Sequence, residues 1–132
     1  MFKYLLENKK VAYILLSIYW AILFIGTTLP GSQVPSLGMS DKSKHFGGYM
    51  VLTILLYITL LFQDKFKVLK HHSAVAAFSI IAVYGVLDEL HQRLIPGRSC
   101  DINDWIADMI GVTIGLIILK LFLKKKLHPQ AS

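Results

Sequence analysis

Residues 11–29 read VAYILLSIYWAILFIGTTL, nineteen in a row without a charge. A helix rises about 1.5 Å per residue and needs about 20 residues to cross a hydrocarbon core of roughly 30 Å, so this run predicts a transmembrane helix. Three further long apolar blocks follow at 46–62, 73–90 and 105–123, with 17, 18 and 19 residues, the third with acids only at its end and the fourth with Asp108 and Lys120 within it. Together the four blocks take 73 of the 132 residues and leave no stretch long enough for a soluble domain. The expected architecture is all-α: a bundle of four transmembrane helices forming one domain over 1–132. Lipid offers no partner to an open backbone, so each span must satisfy its hydrogen bonds internally.

Composition excludes several other classes. With 55% of residues apolar and 17% charged, the chain is too hydrophobic to be disordered. Its single cysteine, Cys100, cannot form an intrachain disulfide or supply a cysteine zinc site. Lys3, Lys9 and Lys10 ahead of the first block resemble the start of a secretion signal. That run exceeds the apolar core of about 7 to 15 residues usual for a cleaved signal, and more spans follow, so the first helix is read as retained.

The formal net charge of +6 is unevenly placed. With the N-terminus inside, the inner face collects Lys3, Lys9, Lys10, Lys65, Lys67, Lys70, Lys120, Lys124, Lys125 and Lys126 against Glu7 and Asp64, a net of +8. The outer face holds Lys42, Lys44, Arg93 and Arg98 against Asp41, Asp88, Glu89, Asp101, Asp104 and Asp108, a net of −2. The positive-inside rule therefore puts both termini in the cytoplasm. The basic excess reads as topology and as attraction to anionic lipid. Nucleic acid is not an expected partner, because no basic run is interleaved with the aromatics of a stacking surface.

The inner loop, Gln63 to His72, is short and basic, and its His71-His72 pair is given no role. The outer loops are richer. Pro30 to Lys44 carries the breakers Pro30-Gly31, Pro35 and Gly38, and His91 to Asp104 centres on Pro96-Gly97-Arg98. Ser40-Asp41 can cap the second helix, after which Asp41, His45 and Tyr49 share one face at i, i+4 and i+8, with Lys42 beside it. Asp88, His91 and Gln92 form a second polar face at the end of the third span, with Glu89 three residues before Gln92. In the fourth helix Asp101 and Asp104 read as an N-cap and an acidic N3 residue. Asp104, Asp108, Gly111 and Gly115 then continue down one stripe.

Plain structural roles account for part of this set. Asp101 is a routine cap, and Tyr49 and Trp105 suit the interfacial aromatic belt. Gly111-Val-Thr-Ile-Gly115 is a small-xxx-small contact, usable within the bundle or between copies in a homo-oligomer. Asp108 is different: it lies about one turn inside the fourth span, where an unpaired carboxylate is expensive, so it must face the bundle interior and find a donor. Asp88 and Glu89 need partners too, and His45, Lys42 and Arg98 are available.

Two chemical uses fit these residue types. Carboxylates with His45 or His91 could hold a divalent cation or exchange protons, with His45 and Glu89 the acid/base candidates. Arg98 and Lys42 could grip a phosphate or carboxylate in a lipid head group, alongside Asp41, Tyr49, Gln92, Asp104 and Asp108. Equally, the charges could pair among themselves and lock the bundle. There is no Gly-rich phosphate loop, HExxH or Gly-x-Ser-x-Gly, and Ser99 and Cys100 have no identifiable activating base. No particular metal or cofactor follows from the sequence.

In order along the chain, Asp41-Lys42-x-x-His45-Phe46-x-x-Tyr49, Asp88-Glu89-x-x-Gln92, Pro96-Gly97-Arg98-Ser99-x-Asp101-x-x-Asp104-Trp105, Gly111 and Gly115 resemble the VanZ-like family. The resemblance runs from about Leu29 to Gly115. It implies a small multi-pass protein of the bacterial cytoplasmic membrane, from a family whose founding member is associated with teicoplanin resistance. It puts Asp41, Lys42, His45, Tyr49, Glu89, Gln92, Arg98 and Asp104 in motif positions. Asp108 stands where the family pattern commonly has Asn, which alters charge and metal-binding capacity there. The family label leaves the biochemistry open among three readings. These are an envelope protein that binds an anionic lipid head group or cell-wall lipid intermediate and alters glycopeptide access, an intramembrane enzyme acting on such a lipid, and a structural or assembly protein.

Overall fold

The structure is a computed structural model that describes residues 8–34 and 38–127. Lys3, Glu7 and Pro35 lie outside the described residues. Four helices are long and apolar enough to cross a membrane: α1 (Lys9–Thr28), α2 (Asp41–Phe62), α4 (Ser73–Gln92) and α5 (Ile102–Leu127). A short helix, α3 (Lys67–His71), precedes α4, a 3-10 turn, Gly31–Gln33, follows α1, and no strand occurs among the described residues. The four-helix, all-α reading of the sequence holds.

The helices overrun the apolar blocks at several ends, because backbone hydrogen bonding continues through polar residues at the membrane edge. α2 begins five residues before Phe46, where the Ser40 hydroxyl accepts the N–H of Ser43 and caps the first turn. α5 begins at Ile102, where the Asp101 carboxylate accepts the N–H of Asn103 at 2.8 Å. At the other end of α2, the Gln63 side chain accepts from Phe66 N–H and donates to Phe66 C=O, both at 2.7 Å, and so folds the chain into α3. The short, basic inner loop is thus partly helical.

Helix α2 is central and touches α1, α4 and α5. Leu52, Ile81 and Val112, from α2, α4 and α5, are fully buried at the centre of the core. The α2–α5 contact is the closest in the bundle: a Cβ added at Gly111 would lie 2.3 Å from the Phe46 carbonyl oxygen, and one at Gly115 would lie 3.0 Å from that of Met50. These two glycines face α2 of the same chain. The expectation that their face serves a homo-oligomer is corrected on that ground, since the stripe is already covered.

On the outside, Ile14, Ile18, Ile22 and Ile25 of α1, and Ile106, Ile110, Ile117 and Ile118 of α5, are exposed. Contiguous apolar surface of this kind marks contact with lipid, and the chain is a membrane protein. At the end that carries α3, Asp64 binds both Lys70 and Lys9, and these two ammonium groups hold its carboxyl down at about 2. At the opposite end the two longer loops are tied together. Ile95 to Arg98 form a turn closed by Arg98 N–H on Ile95 C=O at 3.1 Å, with Gly97 at φ +72°, the left-handed conformation that position requires. Gly31 N–H donates to Pro96 C=O at 3.1 Å, and a Cβ at Gly31 would fall 2.1 Å from the Gly97 oxygen.

Candidate functional site

Polar side chains from three helices meet inside the bundle, at the end tied by the Pro96-Gly97 turn. Helix α2 supplies Lys42, His45 and Tyr49, α4 supplies Asp88, Glu89 and Gln92, and α5 supplies Asp104 and Asp108. Each set follows from helical spacing: a residue every three or four positions keeps one face toward the axis. His45, Tyr49, Asp88, Glu89, Gln92, Asp104 and Asp108 are all buried.

His45 is the hub. Its Nδ1 lies 2.9 Å from Asp108 Oδ1 and 3.9 Å from Glu89 Oε1, and its Nε2 lies 4.0 Å from Asp104 Oδ2. Tyr49, one turn on, stacks near the His45 ring with centroids 6.2 Å apart and donates its hydroxyl to Asp88 Oδ2 at 3.0 Å. Gln92 Nε2 donates to the same oxygen at 3.2 Å, while Gln92 Oε1 accepts Arg98 Nη2 at 2.6 Å. Glu89 Oε2 accepts the backbone N–H of Asp101 at 2.8 Å and so fixes the start of α5. Above this layer Lys42 bridges Asp101 and Asp104, at 3.2 Å each. The Asn103 backbone N–H, and then Lys42, hold the exposed Asp101 carboxyl below the usual carboxylate range.

The carboxylates are only partly satisfied. Asp88 Oδ1, Glu89 Oε1 and Asp108 Oδ2 are buried without a hydrogen-bond partner. Such atoms are costly in a folded interior and mark positions where further chemistry is accommodated.

A cleft of about 230 Å³ leads to this cluster between α1 and α2. Its lining is mixed, with Ile22, Leu23, Gly26 and Val34 beside Asp41, Lys44, His45, Tyr49 and Arg98. On the opposite side a second cavity of about 270 Å³ reaches Glu89 past Val86, Leu90, Ile102 and Trp105. Trp105 closes the α4–α5 seam by donating its indole N–H to Ala82 C=O at 3.1 Å.

The structure rearranges several of the pairings expected from sequence. Arg98 and Lys42 are not the partners of Asp88 and Glu89: Arg98 binds Gln92, and Lys42 binds Asp101 and Asp104. Asp41 lies at the cleft and pairs with Lys44 at 3.3 Å rather than entering the cluster. His91, paired with His45 in the sequence reading, points away and stacks on Phe24 with ring centroids 5.4 Å apart. Tyr84 was missed. Its ring stacks on Tyr49 at 5.9 Å, and it sits four residues before Asp88 and eight before Gln92, a spacing that places it on the same stripe.

Comparison with known proteins follows the same residues. The model of the VanZ/LLP1 family matches residues 10–123, which includes every residue of the buried cluster. An uncharacterised protein of Schizosaccharomyces pombe is 25% identical over 122 residues, covering 92% of this chain and 69% of the relative. No solved structure matches.

Proposed function

Since this chain belongs to the VanZ/LLP1 family, we propose that it is a single-domain integral protein of the bacterial cytoplasmic membrane that binds the anionic head group of a lipid at the outer leaflet. Both termini are cytoplasmic in this reading, on the charge distribution along the sequence. The observation that carries it is the α1–α2 cleft, whose lining combines apolar Ile22, Leu23 and Val34 with Lys44, His45 and Arg98. That mixed lining suits a molecule with an acyl chain and a charged end. The Arg98 guanidinium gives one donor to Gln92, and the remaining N–H groups of its planar fork are matched to phosphate.

The fission-yeast relative favours a phospholipid common to many membranes over a ligand restricted to cell walls. A cell-wall lipid intermediate, with a consequent effect on teicoplanin susceptibility, is the narrower version of the same proposal.

Mass spectrometry of lipids retained by the gently purified protein tests it. A charge-assisted hydrogen bond contributes about 1.5–3 kcal/mol, so Arg98→Ala is expected to reduce retention of the anionic species roughly 10- to 100-fold. An unselective lipid profile that Arg98→Ala leaves unchanged would overturn the proposal.

A second reading, chemistry on the bound lipid, is favoured by the 2.9 Å contact of His45 Nδ1 with Asp108 and by Glu89 beside it. A buried imidazole within reach of two carboxylates is equipped to relay a proton. Incubating the protein with its identified lipid and looking for a product decides this, with Glu89→Gln as the inactive control. The structural reading keeps Gly111 and Gly115 as a helix contact within the bundle, against α2 of the same chain, while contact between copies draws no support from that face.

A further inference from the structure

We propose that His45, Glu89 and Asp108 form a binding site for one divalent transition-metal ion, Zn²⁺ or Mn²⁺, independently of any lipid in the cleft.

Three observations converge on this. First, each of the three residues offers a ligand atom, and these atoms all lie within 4.8 Å of one another. Ligands each about 2.1 Å from a common ion sit roughly 3 to 4.2 Å apart. The two His45 Nδ1 distances, 2.9 Å to Asp108 and 3.9 Å to Glu89, therefore need only small adjustments. Second, Glu89 is 4% exposed, yet its Oε1 has no hydrogen-bond partner. Oε1 is the Glu89 atom nearest the imidazole, since Oε2 is committed to the α5 N-terminus. Third, the charge does not balance. Among the described residues no lysine or arginine pairs with Asp88, Glu89 or Asp108, and Lys42 is engaged with Asp101 and Asp104. Buried carboxylates persist when they are paired, protonated or bound to a metal, and a divalent cation balances the Glu89 and Asp108 carboxylates.

The donor set narrows the metal. Ca²⁺ and Mg²⁺ favour all-oxygen surroundings, whereas an imidazole nitrogen with two carboxylates suits Zn²⁺ or Mn²⁺, with Zn²⁺ held more tightly. The second ring nitrogen faces a carboxylate: Nε2 lies 4.0 Å from Asp104 Oδ2, beyond a hydrogen bond as it stands but near enough to form one after a small shift, and Asp104 is itself anchored by Lys42. Three protein ligands leave room for an exogenous oxygen ligand.

The test uses the full-length protein in detergent micelles, stripped with chelator and titrated with ZnCl₂ or MnCl₂ by calorimetry, with CaCl₂ and MgCl₂ as controls. One equivalent of Zn²⁺ is expected to bind and to raise the melting temperature, with no such response to Ca²⁺ or Mg²⁺. Asp108→Asn and Glu89→Gln should abolish the equivalent while far-UV circular dichroism still reports the parent helicity. A His71→Ala, His72→Ala double variant should retain it. Asp104→Asn is expected to weaken it about 10- to 100-fold. X-ray absorption of the Zn²⁺-loaded parent depends on no variant, and should show one imidazole with oxygen donors. The site is refuted by a parent that binds neither metal stoichiometrically, by loss of the equivalent in the His71/His72 variant, or by a spectrum with two imidazoles or a sulfur donor.

Discussion

Substitution of Gly111 by alanine separates packing from propensity at the α2–α5 contact. In most helix interiors this change stabilises, because alanine favours the helix by about 1 kcal/mol over glycine. Here the new Cβ would lie 2.3 Å from the Phe46 carbonyl oxygen and 3.3 Å from the Met50 nitrogen. Tolerable C···O contacts begin near 3.3 Å, so α2 and α5 must part locally by about 1 Å. Overpacking of this kind costs about 1–3 kcal/mol, and after the propensity gain the expected net loss is roughly 0–2 kcal/mol, centred near 1. Gly115→Ala meets its nearest backbone atom at 3.0 Å and should be close to neutral. Gly47→Ala meets nothing within 4 Å and should gain about 0.5–1 kcal/mol. Unfolding of the three variants and the parent with increasing SDS in mixed micelles, followed by circular dichroism, gives the ranking directly. A Gly111→Ala protein as stable as Gly47→Ala would show that the two backbones are not in contact at this point.

Three other outcomes follow from the same geometry. Tyr49→Phe removes the hydroxyl that donates to the buried Asp88 carboxylate, and in the same unfolding assay it should cost about 1–3 kcal/mol. Asp64, held at about 2 by Lys70 and Lys9, contributes stability that is fully present above the ordinary carboxylate range and is lost as pH falls toward about 2. Asp64→Asn should flatten that acid limb of the melting temperature against pH, whereas an unchanged limb would assign the loss to other carboxylates. Exposed Cys100 should react with a membrane-impermeant maleimide on intact cells, and labelling only after lysis would reverse the proposed orientation.

The four spans were legible because each is a long, predominantly apolar run of span length, a strong signal in a sequence. Their ends were not, since Ser40 and Asp101 start helices through cap bonds that polar residues make. Helix α3 left no trace either: five residues cannot display a period. Within the site, the face shared by His45 and Tyr49 could be read from spacing alone, as could the need of Asp108 for a donor. Which cation met which carboxylate could not. That depends on how deep each helix sits and how it is rotated, which spacing along one helix does not report. His91 shows the limit clearly: spacing put it with Asp88 and Gln92, but it lies far enough around α4 to meet Phe24 of α1 instead.

Helix α1 buries only Ala12, Leu16 and Thr27. It is attached through the Tyr19 hydroxyl on Gly48 C=O, the edge of Trp20 against Tyr84, and the Gly31 to Pro96 backbone bond. Every one of those partners lies later in the chain. During translation α1 therefore emerges before any of these partners, and flanking charge rather than this packing is what can orient it at first. Its attachments accumulate in order: to α2 after Gly48 is made, to α4 after Tyr84, and to the outer turn only after Pro96. A ribosome stalled before Pro96 would hold a chain in which α1 is inserted but the Gly31 to Pro96 bond cannot form, so the cleft between α1 and α2 is completed only once the outer turn and Arg98 have been made.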